Sequence, residues 1–556
     1  MDAGFDSITR RLGRAELWEE NQMDSKVANP ELSVASSSHK QNMVRAVSWW
    51  EVVFIALGAC ALVMFSLGGI SAVTGTVSPL VWTISATIGL IATFVYAEMA
   101  AMLPNKSGGT ANYGATAWIR HIKVVAPMSV WGNWIAYSPI LAIGSGLGAG
   151  YLLSVFVAPD HFLNTWSLTL VDLSMVKPGL TLRLNMQFIL GTLIMLTIWT
   201  IQHAGITRTA RVQIALTLGG LFPLVLVCFL PLIGGKVTMD HFTPFVPLNG
   251  AWNFEGWKLF FGGLFIAAWS AYAAESSVCF MSEMRDPETG GPKAVIWTGV
   301  ICLVVYALVS FVFQGGLGTE GMLAPGIQSG EGVGAAFASL VGAGPFFTDV
   351  LVMMLIFSLL LGVMTAMADS ARTLYQGAHD GWFPKYLDHL NEHGVPTRAM
   401  WVDLFFNAFL LLMSDYLFVL AVSAVNYLVF HTLNMSAAWI HRIDNPRSNR
   451  PYRASMFWLV VVGGLSFVNA FLIGAGANVW GDGVLPLGFA VLFTAVPVFL
   501  YRHYVTDGGK FPDYMLSDLI PPGETELTPT RAGILPYLAL AGNVIAILTG
   551  YLIFWG

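Results

Sequence analysis

The residues of this chain that could do chemistry are few, and they lie where water is scarce. Glu275 falls inside the apolar stretch 262–282, after Trp269-Ser270-Ala271-Tyr272-Ala273-Ala274, where small residues interrupt stronger helix formers. An unpaired acid at mid-membrane is costly and marks a functional site. Discontinuous helices at that depth build the substrate sites of many secondary transporters. The plainer reading of Glu275 is a carboxyl that only hydrogen-bonds the backbone of another broken helix. Glu98 closes a second apolar stretch and precedes Leu103-Pro104-Asn105-Lys106-Ser107-Gly108-Gly109. By itself, that pattern is a helix stop with an interfacial carboxylate. Asp369, Asp403, Asn407, Asn426 and His431 are further polar groups in apolar surroundings. Asp403 and His431 read as satisfied interhelical hydrogen-bonders, and Asp369 is expected to face a vestibule at the inner end of its helix. The glycines from Gly144 to Gly150 have G-x-G spacing, but within an apolar stretch they serve close helix packing, not nucleotide binding. No Ser-His-Asp set, metal-ligand cluster or aqueous phosphate loop is found, so neither enzyme activity nor a cofactor is expected.

The elements that must position these groups are membrane spans. The 556 residues are 55% hydrophobic and 11% charged, against about 25% charged in soluble domains. Apolar runs of about 20 residues, each able to cross roughly 30 Å of hydrocarbon, recur at 49–74, 78–103, 125–157, 186–204, 210–234, 259–282, 294–315, 346–371, 399–414, 416–440, 455–477, 484–501 and 534–554. With the N-terminus cytoplasmic, only Lys177, Arg183, Lys236 and Lys258 of the 27 Lys and Arg fall outside, as the positive-inside rule requires. The last span would then leave the C-terminus outside, unless it lies along the surface. Residues 1–45 are polar and Ser-rich, with no cleavable signal peptide expected. The outer segments 158–185 and 316–345 are expected to carry short helices. A net charge of -6 argues against a nucleic-acid partner. The four cysteines, Cys60, Cys228, Cys279 and Cys302, all fall in spans, so no disulfide-linked accessory subunit is expected.

Several motifs occur in the order of one known family. Ala97-Glu98 followed by Pro104 and Gly108-Gly109 resembles the "AE…P-x-x-G-G" signature of the amino acid–polyamine–organocation (APC) superfamily. Gly205 to Gln213 resembles the start of its fifth helix. Glu283-Met284-Arg285-Asp286-Pro287 with Gly291-Pro292-Lys293-Ala294 is similar to its loop after the sixth helix. Ser370-Ala371-Arg372-Thr373-Leu374-Tyr375 and His379-Asp380-Gly381-Trp382-Phe383-Pro384 resemble the element after its eighth, and Arg450-Pro451-Tyr452 the loop after its tenth.

This resemblance implies an all-α polytopic membrane protein of LeuT type. Two inverted five-helix repeats would have helices 1 and 6 broken, followed by two or three C-terminal helices, 12–13 spans in all. The domains would be a tail at 1–45, a transport core at 46–441 and added helices at 442–556. Trp269 to Ser276 looks most like the sixth helix of the bacterial arginine/agmatine exchanger group. By that likeness Trp269, Ser270, Tyr272 and Ala273 contact substrate, and Glu275 couples the site to protons or gating, with Glu98 and Asp369 in supporting coupling roles. An aromatic wall can hold an ammonium with about 2 kcal/mol or more when desolvated. The third helix would offer Tyr137 and Leu141. The first departs from the family, whose Gly-Ser-Gly break cradles a carboxylate on bare amides; here the break falls at Ala61 or at Ser66, Gly68 and Gly69. The fifth helix lacks the lysine that replaces sodium in some members, across Leu216 to Leu221. A sodium site near Thr365 and Ser370 is the runner-up. The implied function is a secondary active transporter of amino acids or related organic amines across the cell membrane. It would act as an exchanger or proton-linked carrier; a sodium symporter is the alternative, and a ligand-sensing receptor the different-class rival.

Overall fold

The computed structural model describes residues 43–328 and 330–556; the expected tail falls almost wholly outside them. In hydrocarbon every backbone polar group must find an internal partner, which leaves helices as the natural solution for such apolar runs. Eleven helices among the described residues are long and apolar enough to cross a membrane. One of these stretches, Ser66–Met102, joins the outer part of the first expected span to the whole of the second. The inner part of the first span is the shorter Trp49–Ala61, and the ninth, Thr397–Leu411, has 15 residues.

Two spans are irregular where the sequence weakens them. The first begins on Ser48, whose backbone N–H donates to Glu51 (2.8 Å) as in a capping box. It runs as α-helix over Trp49–Ala56, tightens to a 3₁₀ turn over Leu57–Leu62 and returns to α-helix at Val63–Thr74. The break thus contains Ala61, while Ser66, Gly68 and Gly69, the second position expected for it, lie in regular helix. The sixth span is α-helical over Phe254–Ala271 and then 3₁₀ from Ala273 to Glu283. It does not resume as α-helix. Its run Ala273-Ala274-Glu275-Ser276-Ser277 offers little packing, and the Ser277 hydroxyl donates to the Ala274 carbonyl (2.9 Å), in competition with the helix ladder.

Glycines set how closely other elements approach these breaks. A Cβ on Gly58 would lie 2.1 Å from the Thr365 hydroxyl of the eighth span, Pro345–His379. One on Gly89, in the second span Ser78–Met102, would lie 2.8 Å from the Ala271 carbonyl. The second span packs along the seventh, Pro287–Met322, and the third (Val125–Tyr137 and Ile140–Phe156, interrupted at Pro139) packs against the eighth and the tenth, Tyr416–Asp444.

Outside this core, 158–185 corrects the expectation of short helices alone. After Phe162–Thr165 it forms an antiparallel hairpin, β1 Ser167–Asp172 with β2 Thr181–Asn185, whose alternating Leu and Thr suit a pleated strand. The segment 316–345 does carry two short helices, Pro325–Gln328 and Val333–Val341. The last helix, Leu535–Trp555, lies along the eleventh, Met456–Gly476, at glycine contacts: a Cβ on Gly474 would meet the Ile547 carbonyl at 1.9 Å.

Candidate substrate and coupling site

Glu275 is the hub of a buried polar cluster beside the sixth-span break. Its Oε1 accepts the hydroxyl protons of Tyr137 (2.6 Å) and Tyr427 (3.1 Å) and lies 3.2 Å from His431 Nε2. The other His431 nitrogen, Nδ1, is 2.8 Å from the Tyr96 hydroxyl. Glu275 Oε2 is buried without a hydrogen-bond partner. Among the described residues, no Lys or Arg forms an ion pair with this acid. Five side chains from the second, third, sixth and tenth spans thus converge on one site.

The break itself is tied down from several directions. Trp269 Nε1 donates to the Ala136 carbonyl of the third span (3.1 Å), and the Tyr272 hydroxyl donates to Asn469 of the eleventh (3.0 Å). The hydroxyls of Ser66 and Ser270 are 2.9 Å apart, linking the first span to the sixth. Tyr306 of the seventh span reaches the carbonyls of both Ala59 and Ser270 at 2.5 Å, so one hydroxyl touches both broken helices. One turn earlier on that span, Cys302 Sγ lies 3.3 Å from Cys60 Sγ in the first break. Trp269, Tyr272 and Glu275 are each 1% exposed, so the centre is occluded.

Toward the end of the bundle that carries residues 43–48, a second layer of polar groups follows. Cys279 donates to Asp369 Oδ1 (2.6 Å), while Asp369 Oδ2 is buried without a partner. Arg372 is bidentate on Glu283 (2.5 and 2.8 Å), and Lys106 is held by both oxygens of Asp380 (2.8 and 2.7 Å). Bidentate charge-assisted pairs of this kind are strong and geometrically specific. Glu98 lies in the same layer, apart from Glu275. Arg442 and Arg450 both bind it, the latter at 3.1 Å, and the Ala454 N–H donates to it at 3.0 Å. Burial lowers the Arg450 guanidinium from its ordinary value, and the adjacent Glu98 opposes that shift.

The structure therefore brings Ser66, Tyr137, Trp269, Ser270, Tyr272, Ala273 and Glu275 together. It sets other candidates elsewhere. Ala61 faces the eighth span, since a Cβ on Gly362 would lie 3.6 Å from its own; Gly68 abuts the Ile327 carbonyl and Gly69 the Leu417 side chain, near the outer short helices. Leu141 is buried in the third span. Ser370 donates to Ala366 and to Asp403 (2.5 Å), and Asp403 also accepts from Trp134 (2.9 Å) and Ser138, an interhelical knot of the kind expected for it. Thr365 donates to the Ile55 carbonyl of the first span (2.6 Å) and accepts from Gln213 Nε2 of the fifth (3.1 Å). The fifth-span residue facing this point is thus Gln213, not a member of 216–221. His431, Tyr96, Tyr427, Asn469 and Tyr306 join the site without having been singled out for it. Only His431, a histidine inside an apolar run, gave a signal that could have found it.

Comparisons with known proteins agree with this architecture. A family model described as amino acid permease matches residues 47–498. The large neutral amino acids transporter small subunit 2 of Rattus norvegicus is 22% identical over 437 residues, 76% of this chain and 74% of its own. The branched-chain amino acid permease BcaP of Bacillus subtilis (strain 168) is 23% identical over 395 residues, 66% of this chain and 74% of its own. The solved structure of Mhp1, a nucleobase-cation-symport-1 family transporter in a closed conformation with bromovinylhydantoin bound, superposes with a TM-score of 0.50 at 12% identity. It covers 86% of this chain and 99% of that one, a likeness of fold that agrees with the LeuT-type arrangement of broken first and sixth helices.

Proposed function

Since this chain belongs to the amino acid permease family, and is therefore a multi-pass amino acid transporter and not an enzyme, we propose that it moves amino acids or related organic amines by alternating access, as an exchanger or a proton-linked carrier. Substrate would sit between the two breaks, against Trp269 and Tyr272. The observation that carries this reading is Glu275: buried, with three partners on one oxygen, none on the other and, among the described residues, no Lys or Arg paired with it. A carboxyl so placed is best neutralised by a proton or by the ammonium of a substrate. The likeness to the arginine/agmatine exchanger group is supported by the Trp269-Ser270 pair at the break and by Glu275 in contact with the third and tenth spans.

Sodium coupling is the weaker reading. Thr365 and the Ile55 carbonyl, the groups a sodium ion would need, already share the Gln213 amide N–H, a donor that cannot ligate a cation. We place the N-terminus in the cytoplasm of a cell-membrane protein, because Lys and Arg concentrate at the end carrying residues 43–48. A disulfide-linked partner subunit is disfavoured because all four cysteines are buried.

The test is uptake and counterflow of radiolabelled amino acids and amines in proteoliposomes, with and without pH and sodium gradients. Glu275→Gln is expected to abolish the pH dependence while the protein remains folded. Absence of transport for every such substrate, or an unaltered pH profile in Glu275→Gln, would sink the respective half of the reading.

A further inference from the structure

His431 is 0% exposed, and both of its ring nitrogens are engaged. One arrangement of hydrogens satisfies every contact with a neutral ring: the Tyr96 hydroxyl donates to Nδ1, and Nε2–H donates to Glu275. The ring is caged by Tyr272, Tyr427 and Phe430, with centroids at 5.4, 4.5 and 4.4 Å, which excludes water and fixes its orientation. The titratable groups around it are Tyr96 from the second span, Tyr137 from the third, Tyr272 and Glu275 from the sixth and Tyr427 from its own. Among the described residues none of its contacts is a Lys or Arg. An added proton therefore has two homes, the unpartnered Oε2 of the carboxyl or, once the Tyr96 hydroxyl turns to accept, Nδ1 of the imidazole, and among the described residues no Lys or Arg competes for the acid.

We propose that His431 and Glu275 hold the coupled proton jointly, and that Tyr96 acts as a positioning residue by setting which imidazole nitrogen carries the hydrogen. The proposal rests on the proton-linked reading of Glu275 and adds its second member. A proton taken up from one side resides on the dyad and leaves to the other side; only O–H and N–H bonds form and break, and the co-reactant is the proton itself. With Glu275 ionised, its contact with Nε2–H is a charge-assisted hydrogen bond. Once Glu275 is protonated that contact weakens, and the tie between the sixth and tenth spans loosens in the same step.

Full-length protein in proteoliposomes tests this, with substrate uptake driven by a pH gradient, proton flux read by an entrapped pH dye, and counterflow at equal pH. His431→Gln retains size and one N–H donor. It is expected to cut pH-driven uptake and proton flux at least tenfold, a larger factor than its effect on equal-pH counterflow, and to add nothing further in a Glu275→Gln background. Tyr96→Phe, which removes only the hydroxyl, is expected to shift the pH profile and serves if His431→Gln is poorly folded. If Glu275→Gln alters the pH profile but His431→Gln and Tyr96→Phe both retain the native profile and proton flux, the joint-proton proposal is overturned by itself. If Glu275→Gln also behaves as wild type, the proton-linked reading falls with it.

Discussion

At the scale of single residues, the acids of this protein divide by whether a cation meets them. Glu98, Glu283 and Asp380 are each held by arginine or lysine; Glu275 and Asp369 each keep a buried oxygen without a partner. The first group is ion-paired, and its energetics follow from desolvation. Glu98→Ala would leave Arg442 and Arg450 without their counter-ion, and removing one partner of a buried pair costs about 3–5 kcal/mol. We expect a clearly lowered unfolding temperature in detergent for Glu98→Ala; a midpoint within a degree of wild type would show that the clamp carries no net stability. The second group contains Glu275, the acid we propose for coupling. Tyr137→Phe is expected to lower pH-driven uptake while changing thermal stability by only about 1 kcal/mol, the scale of one hydrogen bond. Glu275 was legible in the sequence because an acid amid small residues breaks the apolar pattern. Its pairings were not: Tyr137, 138 residues away, was legible only through the family resemblance, and His431, 156 residues away, stood out as a histidine in an apolar run but not as a partner of this acid.

At the scale of elements, the two irregular spans differ in how well sequence located them. The sixth announces its break through Ala273-Ala274-Glu275-Ser276-Ser277. The first lacks the family's glycines, and its 3₁₀ turn at Leu57–Leu62 depends on what packs against it: Gly58 under Thr365, and the Tyr306 hydroxyl on the Ala59 carbonyl. Tertiary contacts, which no local pattern reports, decided the position. Gly89 serves the sixth break similarly. A larger side chain there must displace the backbone at Ala271, so Gly89→Leu is expected to abolish transport; protein that still transports at a normal rate would mean the break has room to spare. The Gln213–Thr365–Ile55 contact yields a separate expectation. Replacing sodium by choline on both sides of the membrane should leave uptake unchanged within about twofold, whereas strict sodium dependence would require that amide to turn its unpartnered oxygen toward the ion.

At the scale of the whole molecule, the end bearing residues 43–48 is shut by Lys106–Asp380, Arg372–Glu283 and the Glu98 cluster, and segment 507–534 lies across it through Asp518, Arg531 and Ala532. Cys279, under Gly109, reports on that closure. With Cys60, Cys228 and Cys302 replaced by serine, Lys106→Met should speed labelling of Cys279 by a hydrophilic thiol reagent several-fold; an unchanged rate would mean these pairs do not hold the end shut. The motifs at this end were legible in sequence, while the ion pairs that join them across the bundle were not. The buried carboxyl of Glu275 also has an electrical meaning. If transport is proton-linked as proposed, the loaded carboxyl crosses neutral and the empty carboxylate returns charged, so a proton entering with a net-neutral amino acid moves one net charge per cycle. One charge crossing 100 mV gains about 2.3 kcal/mol, equivalent to roughly fifty-fold accumulation at 1.4 kcal/mol per tenfold. An imposed potassium diffusion potential, negative inside, should therefore drive uptake by itself, whereas one-for-one exchange of like-charged substrates would ignore the voltage.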